Sequence, residues 1–236
     1  FGTYVHQAIN AFLAETTAGP TDDACARLMA HGRDAFGELL QRPAVAAFWW
    51  PRFQRIARWF AGHEQERCGG GVVATWAEIA GEMALAAPGG PFVLKAKADR
   101  IDRLADGTLA IIDYKTGKPP SDSDVQTGAS PQLPLEAAIA QAGGFPGIAA
   151  GTPVARLEYW HLKGDDEGGS ARPAAKAAAD TLAQRAADAL AILVAAFDDP
   201  ATAYAALPRP HLAPPYGDYV HLARVKEWTL EGDAES

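Results

Sequence analysis

The stretch KAKADRIDRLADGTLAIIDYKTGK, which runs from Lys95 to Lys118, constrains the fold more than any other part of the chain. Two runs rich in apolar and charged side chains flank an Ala-Asp-Gly sequence, and this pattern predicts two antiparallel strands joined by a short hairpin loop. We predict these strands at 92–104 and 109–115, with an earlier extended segment at 72–85. A three-residue loop whose glycine takes the left-handed conformation is common in such hairpins.

The length of this loop decides which side chains of the two strands face each other. A three-residue loop places Arg103 opposite Leu109 and Asp99 opposite Asp113. A two-residue Asp-Gly loop instead places Asp99 opposite Tyr114, and the two carboxylates then lie on opposite faces of the sheet. The local sequence is compatible with both registers, so the prediction of a site depends on the loop type.

Facing aspartates on neighbouring strands need a compensating cation, because like charges in that position are destabilising. A divalent ion such as Mg2+ is the simplest candidate, since it prefers hard oxygen ligands. Lys115 follows Asp113 by two residues and therefore lies on the same face of its strand. Two acids, a metal ion and a lysine are suited to phosphodiester hydrolysis. The alternative is a surface hairpin in which Asp113 and Lys115 form an ordinary ion pair.

Outside the hairpin, the sequence of 236 residues predicts an α/β protein. Apolar residues at helical spacing predict helices before the sheet and after it, and a second extended run follows the hairpin. The predicted helices are 2–15, 22–40, 43–67, 130–142 (with Ser130 as N-cap), 174–197 and a short one at 220–228, and the further strand is 156–162. We expect a single domain over 1–236, with a helical N-terminal part (1–68), a sheet core that carries the hairpin and the following helix (69–164), and a C-terminal helix with a wrapping tail (165–236).

Composition limits the possible partners and the cellular setting. The net charge of −8 makes the chain alone a poor non-specific DNA binder, because phosphate binding rests on clustered cations. Cys25 and Cys68 are too few for a cysteine metal cluster or a disulfide framework, so a reducing, cytoplasmic setting fits best. The sequence has no apolar run long enough to span a membrane. The absence of an initiator Met suggests a piece of a longer protein.

The hairpin and the following SPQLPLEAAIA together resemble the nuclease domains of the PD-(D/E)xK superfamily, in their RecB-like branch. The opening FGTYVHQAINAF is similar to the first helix of that branch. The closing YGDYVHLARVKEW is similar to the C-terminal end of AddB subunits of AddAB-type helicase-nucleases, so the resemblance is nearest to the AddB C-terminal nuclease domain. It implies a central mixed β-sheet flanked by helices, as in restriction endonucleases.

The resemblance also implies roles for particular residues. It implies four metal ligands: His6, Asp99, Asp113 and the backbone carbonyl of Tyr114. Lys115 matches the catalytic lysine, and Gln132 matches the helix glutamine that reaches the active centre. Glu82 is a weaker match to an acidic residue that the family often has near that point. His6 and Gln132 also have structural alternatives, as a packed or solvent-facing helix residue and as a residue of a helix start.

Two departures from the family pattern bear on the cofactor. Glu136 stands where the family often has Tyr, and it shares a helix face with Gln132. Many AddB relatives hold an iron-sulfur cluster on four cysteines, which this chain cannot supply, so the implied cofactor is Mg2+, with Mn2+ able to substitute. We expect an aromatic tail to take the place of the cluster as a clamp, through Tyr216, Tyr219, Leu222 and Trp228.

We therefore expect a Mg2+-dependent deoxyribonuclease, exonuclease or endonuclease, that cuts single strands. By the resemblance, an AddA-like helicase-nuclease partner delivers the strand during recombinational repair of double-strand breaks in a bacterial cytoplasm. The alternative is a non-catalytic module that guides DNA or docks a subunit. A degenerate module of that kind would be expected to have lost one of Asp99, Asp113 and Lys115, and all three are present. An independent restriction-type endonuclease is disfavoured by the acidic balance.

Overall fold

A computed structural model describes residues 1–15 and 23–204 of the chain. The helices are α1 (Gly2–Glu15), α2 (Ala24–Phe36), α3 (Trp50–Gly69), α4 (Asp122–Gln126), α5 (Gln132–Gln141) and α6 (Ala179–Asp198). The strands are β1 (Val72–Leu85), β2 (Phe92–Leu104), β3 (Leu109–Lys115), β4 (Val154–His161) and β5 (Ser170–Pro173). A 3-10 turn (Gly37–Gln41) and a π-helical turn (Val45–Trp49) connect α2 to α3.

The five strands form one mixed sheet in the order β1-β2-β3-β4-β5. The first three strands are antiparallel neighbours, as is the last pair, whereas β3 and β4 run parallel. A parallel pair needs a long crossover connection, and here the crossover contains α4 and α5. The helix that carries Gln132, α5, therefore lies in the crossover that follows the central strand β3.

Helices cover both faces of the sheet, because side chains of the central strand alternate between two apolar layers. Leu109 and Ile111 of β3 pack toward α5 and α6. Ile112 and Tyr114 pack on the opposite face, against α1, α2 and α3. This mixed sheet with helices on both faces and a helical N-terminal part confirms the predicted α/β fold.

The sequence predicts the hairpin region best. The predicted strands 72–85, 92–104 and 109–115 coincide with β1, β2 and β3, and the predicted helix 2–15 coincides with α1. The predicted N-cap of α5 was wrong: the helix begins one residue after Pro131, with no side-chain cap. The predicted long helix 174–197 begins later, at Ala179, because β5 and a short connection precede it.

The short elements β5 and α4 were not predicted. Four and five residues are too few to show a periodic pattern. The start of the predicted second helix at residue 22, the short helix at 220–228 and the aromatic clamp at 216–228 lie outside the described residues. Within the described ranges, no helix is both long enough and apolar enough to cross a membrane.

Candidate active site

The hairpin loop decides the position of the two aspartates. Arg103 pairs with Leu109 and Ile101 with Ile111, as a three-residue loop requires. In the loop, Gly107 has φ of +85° and its N–H donates to the carbonyl of Leu104, at 2.9 Å. This left-handed conformation suits glycine, and the predicted register is therefore confirmed over these pairs.

The ladder between β2 and β3 runs as far as the pair Arg100–Ile112, and Asp99 and Asp113 come next on their strands. At this point a side chain replaces the backbone acceptor of the neighbouring strand: Asp99 Oδ2 accepts the N–H of Tyr114 at 2.9 Å. The strand pair thus opens at the two acids, and a polar cleft lies between the end of the hairpin and α1.

Asp113 is buried and is held by two side chains. It is 2% exposed. Its Oδ1 accepts Lys115 Nζ at 2.9 Å and Gln132 Nε2 at 2.6 Å. Burial raises the pKa of the Asp113 carboxyl, and the nearby charge of Asp99 raises it further, although Lys115 and Gln132 act in the opposite direction. The ordinary Asp113–Lys115 ion pair is present, but its carboxylate is buried while the lysine stays partly exposed.

Gln132 joins the start of α5 to this cluster. Its Oε1 accepts Lys115 Nζ at 3.1 Å, and its Nε2 also donates to Glu136 Oε1 at 3.1 Å. Glu136 lies one helical turn later on the same face, is 2% exposed and has no hydrogen-bond partner for Oε2. Burial, assisted by the charges of Asp113 and Asp99, raises the pKa of Glu136 to about 8.

His6 approaches the same acids from α1 on the other face of the sheet. Its Nδ1 lies 3.6 Å from Asp99 Oδ1, and its ring packs edge-on against Tyr114. Burial alone would lower the pKa of His6, but Asp99, the backbone of Tyr114 and the charge of Asp113 raise it above its usual value. The protonated form of the His6 ring is therefore stabilised by the neighbouring negative charge. The same negative charge would attract a metal cation.

Gly2 explains how α1 comes this close to β3. A Cβ at this position would lie 2.8 Å from Thr116 Oγ1, just past the end of the strand. The glycine therefore permits the close contact that sets His6, one helical turn later, beside Asp99. The cleft has a volume of about 720 Å³ and is lined by Gly2, Thr3, His6, Gln7, Asn10, Glu78, Asp99, Tyr114, Lys115, Thr116 and Gly117.

Glu78 of β1 is a site residue that sequence reasoning missed. Glu82, the predicted weaker candidate, is exposed and its Oε2 lies 3.7 Å from Lys95 Nζ, outside the cleft. Glu78 instead lines the cleft, and its carboxylate, His6 and Asp99 have donor atoms within 4.8 Å of one another. Its position depends on a backbone irregularity in β1, for which the sequence carries no local signal.

The residues of the cleft fit a divalent cation. Carboxylate oxygens and an imidazole nitrogen, brought together within 4.8 Å, are the ligand types that Mg2+ and Mn2+ accept in proteins. Among the described residues, His6, Glu78 and Asp99 form the group whose donor atoms lie close enough together to share one metal ion.

A mixed sheet with helices on both faces, an acid-x-lysine pair at the end of its central strand and a helix glutamine beside that pair define an α/β fold of the restriction-endonuclease type. The family model of the PD-(D/E)XK nuclease superfamily matches residues 1–211. The chain therefore belongs to the PD-(D/E)XK nuclease superfamily.

Curated relatives of the chain are uncharacterised proteins of Rickettsia. One from Rickettsia bellii is 24% identical over 148 residues, which cover 61% of this chain and 17% of the relative. Uncharacterized protein RT0391 of Rickettsia typhi is 37% identical over 68 residues, covering 29% of this chain and 8% of the relative. The chain thus spans less than a fifth of the length of these relatives. In the crystal structure of SSO0001, 74% of the chain aligns with 81% of this one, at 12% identity and a TM-score of 0.32.

Proposed function

We propose that this chain is a metal-dependent DNA nuclease domain that hydrolyses phosphodiester bonds in single strands. The observation that carries the proposal is the cluster at the end of the hairpin, where Asp113, Lys115 and Gln132 contact one another beside Asp99. Membership of a nuclease superfamily supports it independently. A non-catalytic DNA-guiding or docking module would not need a buried aspartate beside a lysine, and burying a carboxylate is costly without a function.

In this proposal four groups would hold the cation: His6, Asp99, Asp113 and the backbone carbonyl of Tyr114. They come from α1 and from the hairpin, so a bound cation would link these two parts of the fold. When bound, Mg2+ supplies positive charge and Lewis acidity that offset the negative charge developing on the phosphate. Mn2+ should substitute, since it accepts the same oxygen and imidazole ligands.

Lys115 has the second role. Its ammonium, now divided between Asp113 and Gln132, donates hydrogen bonds and can orient the attacking water or stabilise a phosphate oxygen during hydrolysis. Gln132 holds the side chains of Lys115 and Asp113 in position relative to each other, because its amide contacts both. Hydrolysis adds the water oxygen to phosphorus and breaks the bond to the leaving oxygen, which takes up a proton.

The proposed function extends to the subunit and the partner with which this nuclease domain would act. We propose that residues 1–236 act as one nuclease domain of an AddB-like subunit, to which an AddA-like helicase partner delivers a single strand. This arrangement supplies the DNA grip that a chain of net charge −8 lacks. Recombinational repair of double-strand breaks in a bacterial cytoplasm is the process that such a complex would serve.

The test is cleavage of end-labelled single-stranded DNA by the purified chain in Mg2+ or Mn2+, with Asp113→Asn and Lys115→Met. We expect each variant to lose at least about 100-fold in rate, as is typical when a group that stabilises the transition state is removed. Lys95→Met is the matched control, because Lys95 is exposed and lies outside the cleft. Circular dichroism verifies that all the variants are folded.

Equal loss in Lys95→Met and Lys115→Met would contradict a catalytic role for Lys115. If the wild-type chain binds Mn2+ but does not cleave, the assay is repeated with the longer protein and its partner. Cleavage there supports the nuclease and shows its dependence on the complex. Continued inactivity there would favour the non-catalytic module.

A further inference from the structure

Glu78 has an unusual backbone conformation. Its φ is +50°, and among the described residues it is the one non-glycine residue with a positive φ. An L-residue reaches this left-handed region at an energetic cost, and such strain persists only where the surroundings enforce it. Here the pairs Ala77–Arg100 and Ile79–Ala98 of β1 and β2 enclose Glu78 on both sides and place it opposite Asp99.

The bend directs Glu78 into the active-site cleft. Its carboxylate joins His6 and Asp99 in the group whose donor atoms lie within 4.8 Å of one another. Its side chain is 24% exposed, compared with 63% for Glu82 on the same strand. Glu78 therefore contributes negative charge at the site itself, whereas Glu82 faces solvent.

The carboxylate of Glu78 already has a cationic partner in the structure. The Lys97 ammonium pairs with the Glu78 carboxylate, and the charge of Asp99 also acts on it. Lys97 is 60% exposed and carries a long flexible side chain, so it can move into solvent at little cost. The carboxylates of Glu78 and Asp99 thus already attract one cation, the Lys97 ammonium, and a metal ion can displace this exposed side chain.

The simpler explanation is that Glu78 serves only as the cross-strand partner of Lys97. The same two strands contain a second pair of that kind, Glu82 and Lys95, which forms without any positive φ. A Glu–Lys pair across β1 and β2 therefore does not require the bend.

We propose that Glu78 is a further metal-binding residue of this site, which holds the divalent cation together with His6 and Asp99 once Lys97 has moved away. The inference rests on the proposed nuclease function and adds a residue to its metal site. It predicts that Lys97 competes with the metal, so that removing the lysine and removing the glutamate have opposite effects on metal affinity.

The experiment measures Mn2+ binding to the intact chain by the electron paramagnetic resonance signal of free Mn2+, without DNA. We expect Glu78→Gln to weaken binding by about tenfold or more, in the range found for groups that support a metal site. Glu82→Gln is the matched control and should stay within about twofold of wild type, since its exposed ion pair is worth little. Lys97→Gln should tighten binding by about threefold.

A purely structural role would produce another pattern. If Glu78 only pairs with Lys97 and does not touch the metal, then Glu78→Gln weakens Mn2+ binding by no more than about threefold, as expected for a charge that acts at a distance, or does not change it at all. Either result overturns the inference. A Glu78→Gly variant examines folding separately, because glycine adopts φ of +50° without strain. It should keep the thermal midpoint of wild type within a few degrees and still lose Mn2+ affinity.

A further variant separates failure of this inference from failure of the proposed function. Asp99→Asn should abolish Mn2+ binding if the metal site exists. Loss in Asp99→Asn with none in Glu78→Gln would overturn the role of Glu78 and leave the metal site intact. No Mn2+ binding by the wild-type chain would overturn both the inference and the metal-dependent nuclease.

Discussion

Glu136 illustrates how one residue can depart from a family pattern and still belong to the site. At a position where related nucleases often have Tyr, this chain buries a carboxylate that shares Gln132 with Asp113. The sequence showed that Glu136 lies on the helix face of Gln132, but not that it is 2% exposed. Its burial next to other acids makes the protonated form the favoured one near neutral pH, because the raised pKa is about 8.

We expect Glu136→Gln to alter the dependence of stability on pH. The unfolded carboxyl titrates near its ordinary value, while the folded one titrates near pH 8, so the wild-type chain loses stability as pH rises between these values. Glutamine has no such titration. Between pH 5.5 and 8.5 in EDTA, urea unfolding should show the wild type losing roughly 3 kcal/mol relative to the variant.

Glu38→Gln is the control for this measurement, because Glu38 is exposed. It should follow the wild-type pH profile within about 0.5 kcal/mol. A wild-type profile parallel to that of Glu136→Gln would show that Glu136 titrates near its ordinary pKa in the folded chain.

At the level of elements, a close contact joins α2 and α3 within the helical layer on one face of the sheet. The N-terminal helices pack into one apolar layer with the sheet face that contains Ile112 and Tyr114. Gly32 of α2 lies against Phe53 of α3, and a Cβ on this glycine would be 2.0 Å from the ring. The close approach of α2 to α3 depends on the missing side chain.

Gly32→Ala should therefore destabilise the chain. Phe53 is fully buried and cannot move aside without displacing its neighbours, so we expect a loss of about 1–3 kcal/mol in the free energy of unfolding, as for other overpacked cores. Gly62→Ala on the exposed side of α3 is the matched control, because nothing lies within 4 Å of the added Cβ. It should stabilise by about 0.5–1 kcal/mol through helix propensity.

Urea unfolding followed by circular dichroism measures both substitutions. Opposite signs for the two glycines would support the close contact between α2 and α3. A neutral Gly32→Ala would contradict it.

For the whole molecule, a buried ionic network joins the N-terminal helices to the sheet. Arg100 is fully buried and donates two hydrogen bonds to Glu64 of α3, at 2.6 and 2.8 Å, and one to Asp102 of β2 at 2.6 Å. Arg67 of α3 continues the network to Asp102 and to Glu158 of β4. The network holds α3 in one position over the sheet on the face that also carries α1 and His6.

Arg100→Met should lower the free energy of unfolding by about 3–5 kcal/mol, because it leaves Glu64 buried without its cation. The double variant Arg100→Met/Glu64→Met should recover at least half of that loss, since two apolar side chains replace the pair. Thermal and urea unfolding provide the measurement. Equal stability of the single and double variants would show that the unpaired carboxylate is not the source of the loss.

The sequence by itself determined the hairpin. The side-chain alternation acts over a few residues, so the bounds of β1, β2 and β3 and the shared face of Asp113 and Lys115 followed from local pattern, whereas the structure chose between the two possible loop lengths. The family resemblance added His6 and Gln132 as site residues, and the superfamily match agrees with that resemblance.

Only the tertiary structure decided which distant residues meet at these acids. His6 reaches Asp99 because α1 packs on one face of the sheet, and Gln132 reaches Asp113 because α5 packs on the other. Glu78 enters the cleft through a bend in β1, while the exposed Glu82 remains outside it. The physical reason is that local patterns report neighbours a few residues apart, whereas these contacts depend on how whole elements pack.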